Sequence, residues 1–279
     1  MRDAPFVVHE PSSLGKQSRE TPLIVEIPHA GVFVAPQFMP DLVASARAIG
    51  RDADLHVDDL YEEACEEGAS LLVSRTSRYV VDLNRAEHDI DSQSAVSGQL
   101  SSSPRGVIWR LTTEGDRALT APLRQDVLEL RLAGVYRPYH AALQTLIQRK
   151  VATFGHAVIL AAHSMPSVAR VMHGDAGQVR ADVVPGSRGR TSAAAKYIDA
   201  VDAHARQRGW SVAHDEPYKG GFTTQHYGRP RDNVHVVQVE LARRLYMNEA
   251  TYRTTPGAFE DVRGWCRALV RKLGAIALE

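Results

Sequence analysis

The sequence predicts an α/β fold with a mainly parallel sheet, on three observations. Short β-branched runs alternate with longer helical patterns along the chain. Two apolar runs, Leu23-Ile24-Val25-Glu26-Ile27 and Ala157-Val158-Ile159-Leu160-Ala161-Ala162, each lead into a histidine, His29 and His163. No repeat or low-complexity tract interrupts the alternation.

Taken in order, the first strand is expected at Leu23–Ile27. Asp54 then suits the cap of a helix running to about Glu67, with Gly68 as its stop. Strands are expected at Ser70–Ser74 and Tyr79–Asp82. The stretch from Ala86 to Asp116 is rich in Ser, Gly and Asp, with Val107-Ile108-Trp109 as its apolar island. A long irregular segment directly after a site strand suggests a lid. Pro122 suits the first turn of a helical region reaching about Thr153, divided near Gly134 and Pro138. The strand Ala157–Ala162 follows, then a glycine-rich, basic stretch from His173 to Arg190 that suggests a second wall. Thr191 or Ser192 opens an alanine-rich helix ending at Gly209. Strands at Ser211–Ala213 and Val234–Glu240 and an amphipathic helix over Ala258–Ala277 complete the pattern.

Composition narrows the function classes. The 279 residues are 44% hydrophobic, enough for a substantial core. Thirty-three basic residues balance 33 acidic ones, so no global field favours nucleic acid or an anionic membrane, and a small-molecule substrate is the expected partner. Cys65 and Cys266 lie far apart within helix-like patterns, which argues for a reducing compartment, with the cytoplasm as the expectation. No apolar run is long enough to span a bilayer.

Chemistry concentrates where strands end. In open α/β sheets ligands bind at the carboxyl ends of the strands, so His29 and His163 are positioned to converge on one ion or substrate. Pro28 and Gly31 flank His29 and leave its ring room to face a ligand. Asp52, Asp54, Asp58 and Asp59 form an acidic helix opening, which capping and the helix dipole alone would favour. Asp58 lies one turn beyond Asp54 near the Leu55 face, where a buried carboxylate calls for a compensating cation. A His, His, carboxylate set leaves zinc an open position for a hydrolytic water. Glu240 closes a buried-type strand, either paired with Arg243 or Arg244 or serving as a general base. Arg85, after Asn84, suits a bidentate grip on a carboxylate, with a structural pair to Asp82 or Glu87 as the alternative.

These residues carry a resemblance. Pro28-His29-Ala30-Gly31, His56-Val57-Asp58-Asp59-Leu60-Tyr61, Asp82-Leu83-Asn84-Arg85, Gly106-Val107-Ile108-Trp109 and Gln238-Val239-Glu240-Leu241 together resemble the N-formylglutamate amidohydrolase (deformylase) family. So do Tyr136-Arg137-Pro138-Tyr139-His140, Pro217-Tyr218-Lys219-Gly220-Gly221-Phe222 and Leu245-Tyr246-Met247-Asn248-Glu249, so the likeness spans most of the chain. It implies a three-layer phosphorylase/hydrolase-like fold, with a mixed, mainly parallel sheet flanked by helices, as in zinc carboxypeptidases and aspartoacylases. It further implies a single amidohydrolase domain over residues 1–279 with an active-site loop at 86–116. His29, Asp58 and His163 become the implied ligands of one divalent ion, with zinc expected and cobalt, manganese or nickel compatible with the same donors. Asp54 and His56 stay open as the third ligand.

In the same resemblance Glu240 takes the place of the catalytic glutamate and Asn84 with Arg85 holds a substrate carboxylate, joined by Arg188 or Arg170. The implied reaction is hydrolysis of N-formyl-L-glutamate to L-glutamate and formate, a late step of histidine degradation. Two alternatives stand beside it: a zinc amidase for another N-acyl amino acid or short peptide, and a zinc-stabilised binding protein without catalysis.

Overall fold

The computed structural model describes residues 4–11, 20–96 and 103–277. Its centre is a six-stranded sheet of β1 (Phe6–His9), β2 (Leu23–Ile27), β3 (Ser70–Ser74), β4 (Ala157–Met165), β5 (Val183–Gly186) and β6 (Val234–Ala242). The spatial order is β1-β3-β2-β4-β6-β5. The inner strands β3, β2, β4 and β6 run parallel, and β1 and β5 close the two edges antiparallel. A two-stranded ribbon of β7 (Met247–Asn248) and β8 (Arg253–Thr254) stands apart.

Both faces of the inner strands are buried, which is why they read as continuous apolar runs rather than alternating ones. Side-chain alternation still sorts them. Leu23, Val25 and Ile27 join Val158, Leu160, Val237 and Val239 on one face. Helices α2 (Val57–Leu60), α5 (Ala195–Gln207) and α7 (Ala258–Gly274) pack there. Ile24, Leu72, Ile159 and Val236 point to the other face, against α3 (Gln125–Arg131) and α4 (Arg137–Phe154). Two short helices, α1 (Ala46–Asp52) and α6 (Phe222–Tyr227), complete the set. The three-layer arrangement matches the sequence expectation.

The order of strands positions the site. From β2 the chain passes to β3 on one side, whereas β4 lies on the other, so the winding direction reverses between β2 and β4. Such a switch point opens a crevice at the strand carboxyl ends. His29 follows β2 by two residues, His163 lies near the end of β4, and Glu240 stands opposite His163 in the β4–β6 register.

Several elements differ from the sequence reading. Tyr79–Asp82 is buried but is no strand: Arg131 donates to the carbonyls of Tyr79 and Val80, and Asp82 N–H to Val107 O, replacing a ladder. Ser211–Ala213 contributes one isolated bridge, Val212 to Val183. The helix expected from Asp54 to Glu67 is broken, because His56 adopts a left-handed φ of 66° and only α2 and a 3-10 turn over Glu62–Glu67 remain helical. The division near Gly134 is a π turn over Leu132–Tyr136. Helices α5 and α7 end at Gln207 and Gly274, a little short of the expected Gly209 and Ala277.

Candidate active site

At the switch point lies a cavity of about 310 Å³, walled by the ends of β2, β4 and β6 and by residues from both loop segments. At its floor His29, Asp54 and His163 each offer one ligand atom, all within 4.8 Å of one another. All three are almost wholly buried. Asp54 Oδ2 lies 3.0 Å from His163 Nδ1 and 3.6 Å from His29 Nδ1. Two imidazole nitrogens and a carboxylate converging this closely fit a divalent metal with open positions left over.

The surrounding groups orient these three. His29 Nε2 donates to Asp82 Oδ1 at 2.8 Å, which leaves Nδ1 as the free ligand nitrogen. Asp82 is fully buried and is gripped by Arg78 through Nη2 at 2.7 Å and Nε at 3.1 Å. Burial would push the Asp82 carboxyl up, but the charge of Arg78 and the hydrogen bond from His29 hold it well below the ordinary range. Arg243 donates to Asp54 Oδ1 at 3.2 Å and to the carbonyls of Arg51 and Ala53. Burial likewise opposes ionisation of Asp54, and the hydrogen bond with His163, with His29 close by, overcomes it and keeps its pKa well below the usual value.

The structure brings Asp54, and not the expected Asp58, to the two histidines. Asp54 N–H donates to His29 O at 2.9 Å, tying its backbone beside the histidine. The left-handed turn at His56 then carries α2 away, so Asp58 is not brought to the histidines. Burial and the charge of Asp59 push the Asp58 carboxyl up. His56 faces Tyr252 O at 2.9 Å and Asp59 at 3.4 Å, also outside the trio.

Glu240 lines the cavity, 5% exposed, with one oxygen held by Gln238 Nε2 at 2.9 Å. The orientation of that amide is determined. Gly221 N–H donates to Gln238 Oε1 at 2.9 Å, so the group facing Glu240 must be the NH2 donor. Gly221 itself has no room for a side chain, since an added Cβ would collide with Asn84. Burial raises the Glu240 pKa and the Asp54 charge adds to this, while His163, His29 and Arg78 oppose it.

Asn84 sits within the same network: Thr223 N–H donates to its Oδ1 at 3.0 Å, and its Nδ2 lies 3.3 Å from Gln238 Oε1. Arg85 lines the cavity. Arg170 does too, but its guanidinium is engaged by Asp52 at 2.7 Å and Thr113 at 3.0 Å. Arg188, expected to bind substrate, is not among the cavity residues: its Nη1 donates to Gly220 O at 3.0 Å. The two expected walls are present in part. Arg105, Trp109 and Thr113 come from the 86–116 segment and His173 from the second stretch, while residues 97–102 lie outside the described ones.

Sequence reasoning passed over Asp82, Gln238 and Arg105. Gln238 had a signal, since it lies two positions before Glu240, the spacing that places side chains on one face of a strand, whereas the chain turns between Asp82 and Asn84 and gave none. Arg105 carried none beyond its place before Gly106 in an irregular segment.

The three-layer α/β fold and the buried group of His29, Asp54 and His163 at its switch point define an enzyme-like site with a candidate metal centre. A family model described as N-formylglutamate amidohydrolase matches residues 21–247. N-formylglutamate deformylase of Pseudomonas aeruginosa is 35% identical over 254 residues, covering 90% of this chain and 91% of that one. The enzyme of the same description from Pseudomonas putida is 31% identical over 238 residues, covering 83% and 85%. Among solved structures, N-formylglutamate amidohydrolase from Ralstonia eutropha JMP134 superposes with a TM-score of 0.85 at 28% identity, covering 97% of each chain. The gene product Atu2144 of Agrobacterium tumefaciens shares the fold, with a TM-score of 0.69 at 19% identity, covering 97% and 94%. The chain belongs to the N-formylglutamate amidohydrolase family, and the resemblance read from its motifs holds. Among the described residues no helix is long and apolar enough to cross a membrane.

Proposed function

We propose that this protein is a metal-dependent amidohydrolase that converts N-formyl-L-glutamate and water to L-glutamate and formate. The observation that carries the reading is the buried His29, Asp54, His163 trio facing Glu240 across one cavity. The names of the Pseudomonas relatives support the substrate. His29, Asp54 and His163 would hold one divalent ion, with zinc as the ion their donor set suits. Such an ion supplies Lewis acidity, lowering the pKa of a water and polarising the formyl carbonyl.

The remaining steps belong to this chain's side chains. Glu240 takes a proton from the attacking water and returns it to the departing amine nitrogen, as the carbon–oxygen bond forms and the carbon–nitrogen bond breaks. Gln238 holds one oxygen of Glu240 and leaves the other for the water. Arg85 holds a substrate carboxylate beside Asn84 and so places the acyl carbon over the ligand trio. Arg105, Trp109 and Thr113 line one wall, and in this reading that wall shields the reaction from bulk water.

Formate release from N-formyl-L-glutamate, measured beside N-acetyl and N-succinyl glutamate, tests the assignment. The formyl compound should be turned over fastest, and Glu240→Gln should lose roughly 10²–10⁴-fold in kcat while keeping its metal. Faster hydrolysis of a longer acyl chain would displace the deformylase reading.

A further inference from the structure

The proposed substrate carries two carboxylates, and one arginine accounts for only one of them. Six cationic side chains line the cavity: Arg78, Arg85, Arg105, Arg170, Lys219 and Arg243. Three are committed to acids of the protein, Arg78 to Asp82, Arg170 to Asp52 and Arg243 to Asp54. Lys219 is exposed. Among the described residues Arg85 and Arg105 have no carboxylate within ion-pair distance. Two guanidinium groups without a counter-anion in one cavity match a dianionic ligand.

Arg105 is prepared for that role. Its backbone pairs with Trp109 across a tight loop, and Gly106 lies so close to Asp89 O that no Cβ would fit. The guanidinium lies 5.7 Å from the Trp109 ring centroid, and its Nη2 donates to Met172 O at 2.7 Å. The remaining donors of the fork are left for a ligand. Burial, together with the nearby Arg78 and Arg85, depresses the Arg105 pKa, a setting that an anionic ligand would relieve.

Position divides the two arginines. Arg85 directly follows Asn84, whose Nδ2 lies 3.4 Å from His163 Nε2, so it belongs to the reacting end. The α-carboxylate of an N-acyl amino acid is two bonds from the scissile nitrogen and has to be gripped there. Arg105 is anchored instead to the wall at Met172. We propose that Arg105 is a specificity-determining residue that binds the side-chain carboxylate of the N-acyl amino acid, an inference that rests on the hydrolytic reading above.

The test compares N-formyl-L-glutamate with its neutral isostere N-formyl-L-glutamine. Wild-type protein should prefer the glutamate compound in kcat/KM, and Arg105→Gln should shrink that preference by roughly 10–100-fold, mostly through KM. Arg105→Lys should retain part of it. A preference that survives Arg105→Gln, or equal losses on both substrates in a variant with unchanged melting temperature, would overturn the proposal. Calorimetric binding of L-glutamate against L-glutamine to wild type and Arg105→Gln separates the two claims. If the wild type cleaves neither formyl compound, yet glutamate binding depends on Arg105, the reaction fails and the specificity role stands. If turnover is as expected and the glutamate preference is indifferent to Arg105, the reverse holds.

Discussion

Replacing Asp82 with Asn should weaken metal binding without emptying the ligand trio. Asp82 touches no ion, but it accepts from His29 Nε2 at 2.8 Å and from Arg78 at 2.7 and 3.1 Å. The amide keeps the shape and removes the charge. Hydrogen bonds to charged groups contribute about 1.5–3 kcal/mol each, and the amide oxygen retains part of them, so a stability loss of about 2–4 kcal/mol is expected. Disrupting a carboxylate that orients a ligating histidine typically costs roughly 10–100-fold in metal affinity, equivalent to about 1.4–2.8 kcal/mol. Zinc titration against a chromophoric chelator, at a temperature where both proteins are folded, reads the affinity directly. A dissociation constant within about twofold of wild type, in a folded variant, would refute the orienting role of Asp82.

Two further outcomes are expected. Gln238→Leu removes the donor to Glu240 and strands Gly221 N–H, so kcat should fall by roughly 10–100-fold with little change in KM or metal content; steady-state kinetics with elemental analysis would show it. Glu67, its side chain 9% exposed, is held by Arg271 and Arg267, which lower its pKa to about 2 from an ordinary 4.5. A depressed folded-state pKa means the contribution is complete above about pH 4.5 and fades as pH falls towards 2. Its arginine partners are substantially solvated, so Glu67→Gln should cost only about 1 kcal/mol at pH 7, less at pH 3, by urea unfolding.

The inner strands were readable because Leu23–Ile27 and Ala157–Met165 are buried on both faces, which leaves long apolar runs with few competing readings. Edge strands lacked that signature. Phe6–His9 is short and partly exposed, and Val183–Gly186 contains Pro185, whose missing donor is tolerated at an edge but argues against a strand on sight. Tyr79-Val80-Val81 has strand-like residues, yet its carbonyls are satisfied by a buried arginine 51 positions or more away, a partner no local pattern reveals.

At the site, strand-end placement exposed His29, His163 and Glu240. The third member of the buried group was obscured because Asp54 looked like a helix cap, and the left-handed turn at His56 that ends this possibility leaves no mark in composition. Arg188 and Arg170 were plausible cations by type alone. Their engagement with Gly220 O and Asp52 is a product of tertiary packing.

Metal content measured by elemental analysis of wild type, Asp54→Asn and Asp58→Asn, each purified and reloaded identically, addresses the centre most directly. The proposed centre requires one divalent ion per wild-type chain, its loss from Asp54→Asn and its retention in Asp58→Asn. A metal-free wild type, or full occupancy in folded Asp54→Asn with loss in Asp58→Asn, would contradict it.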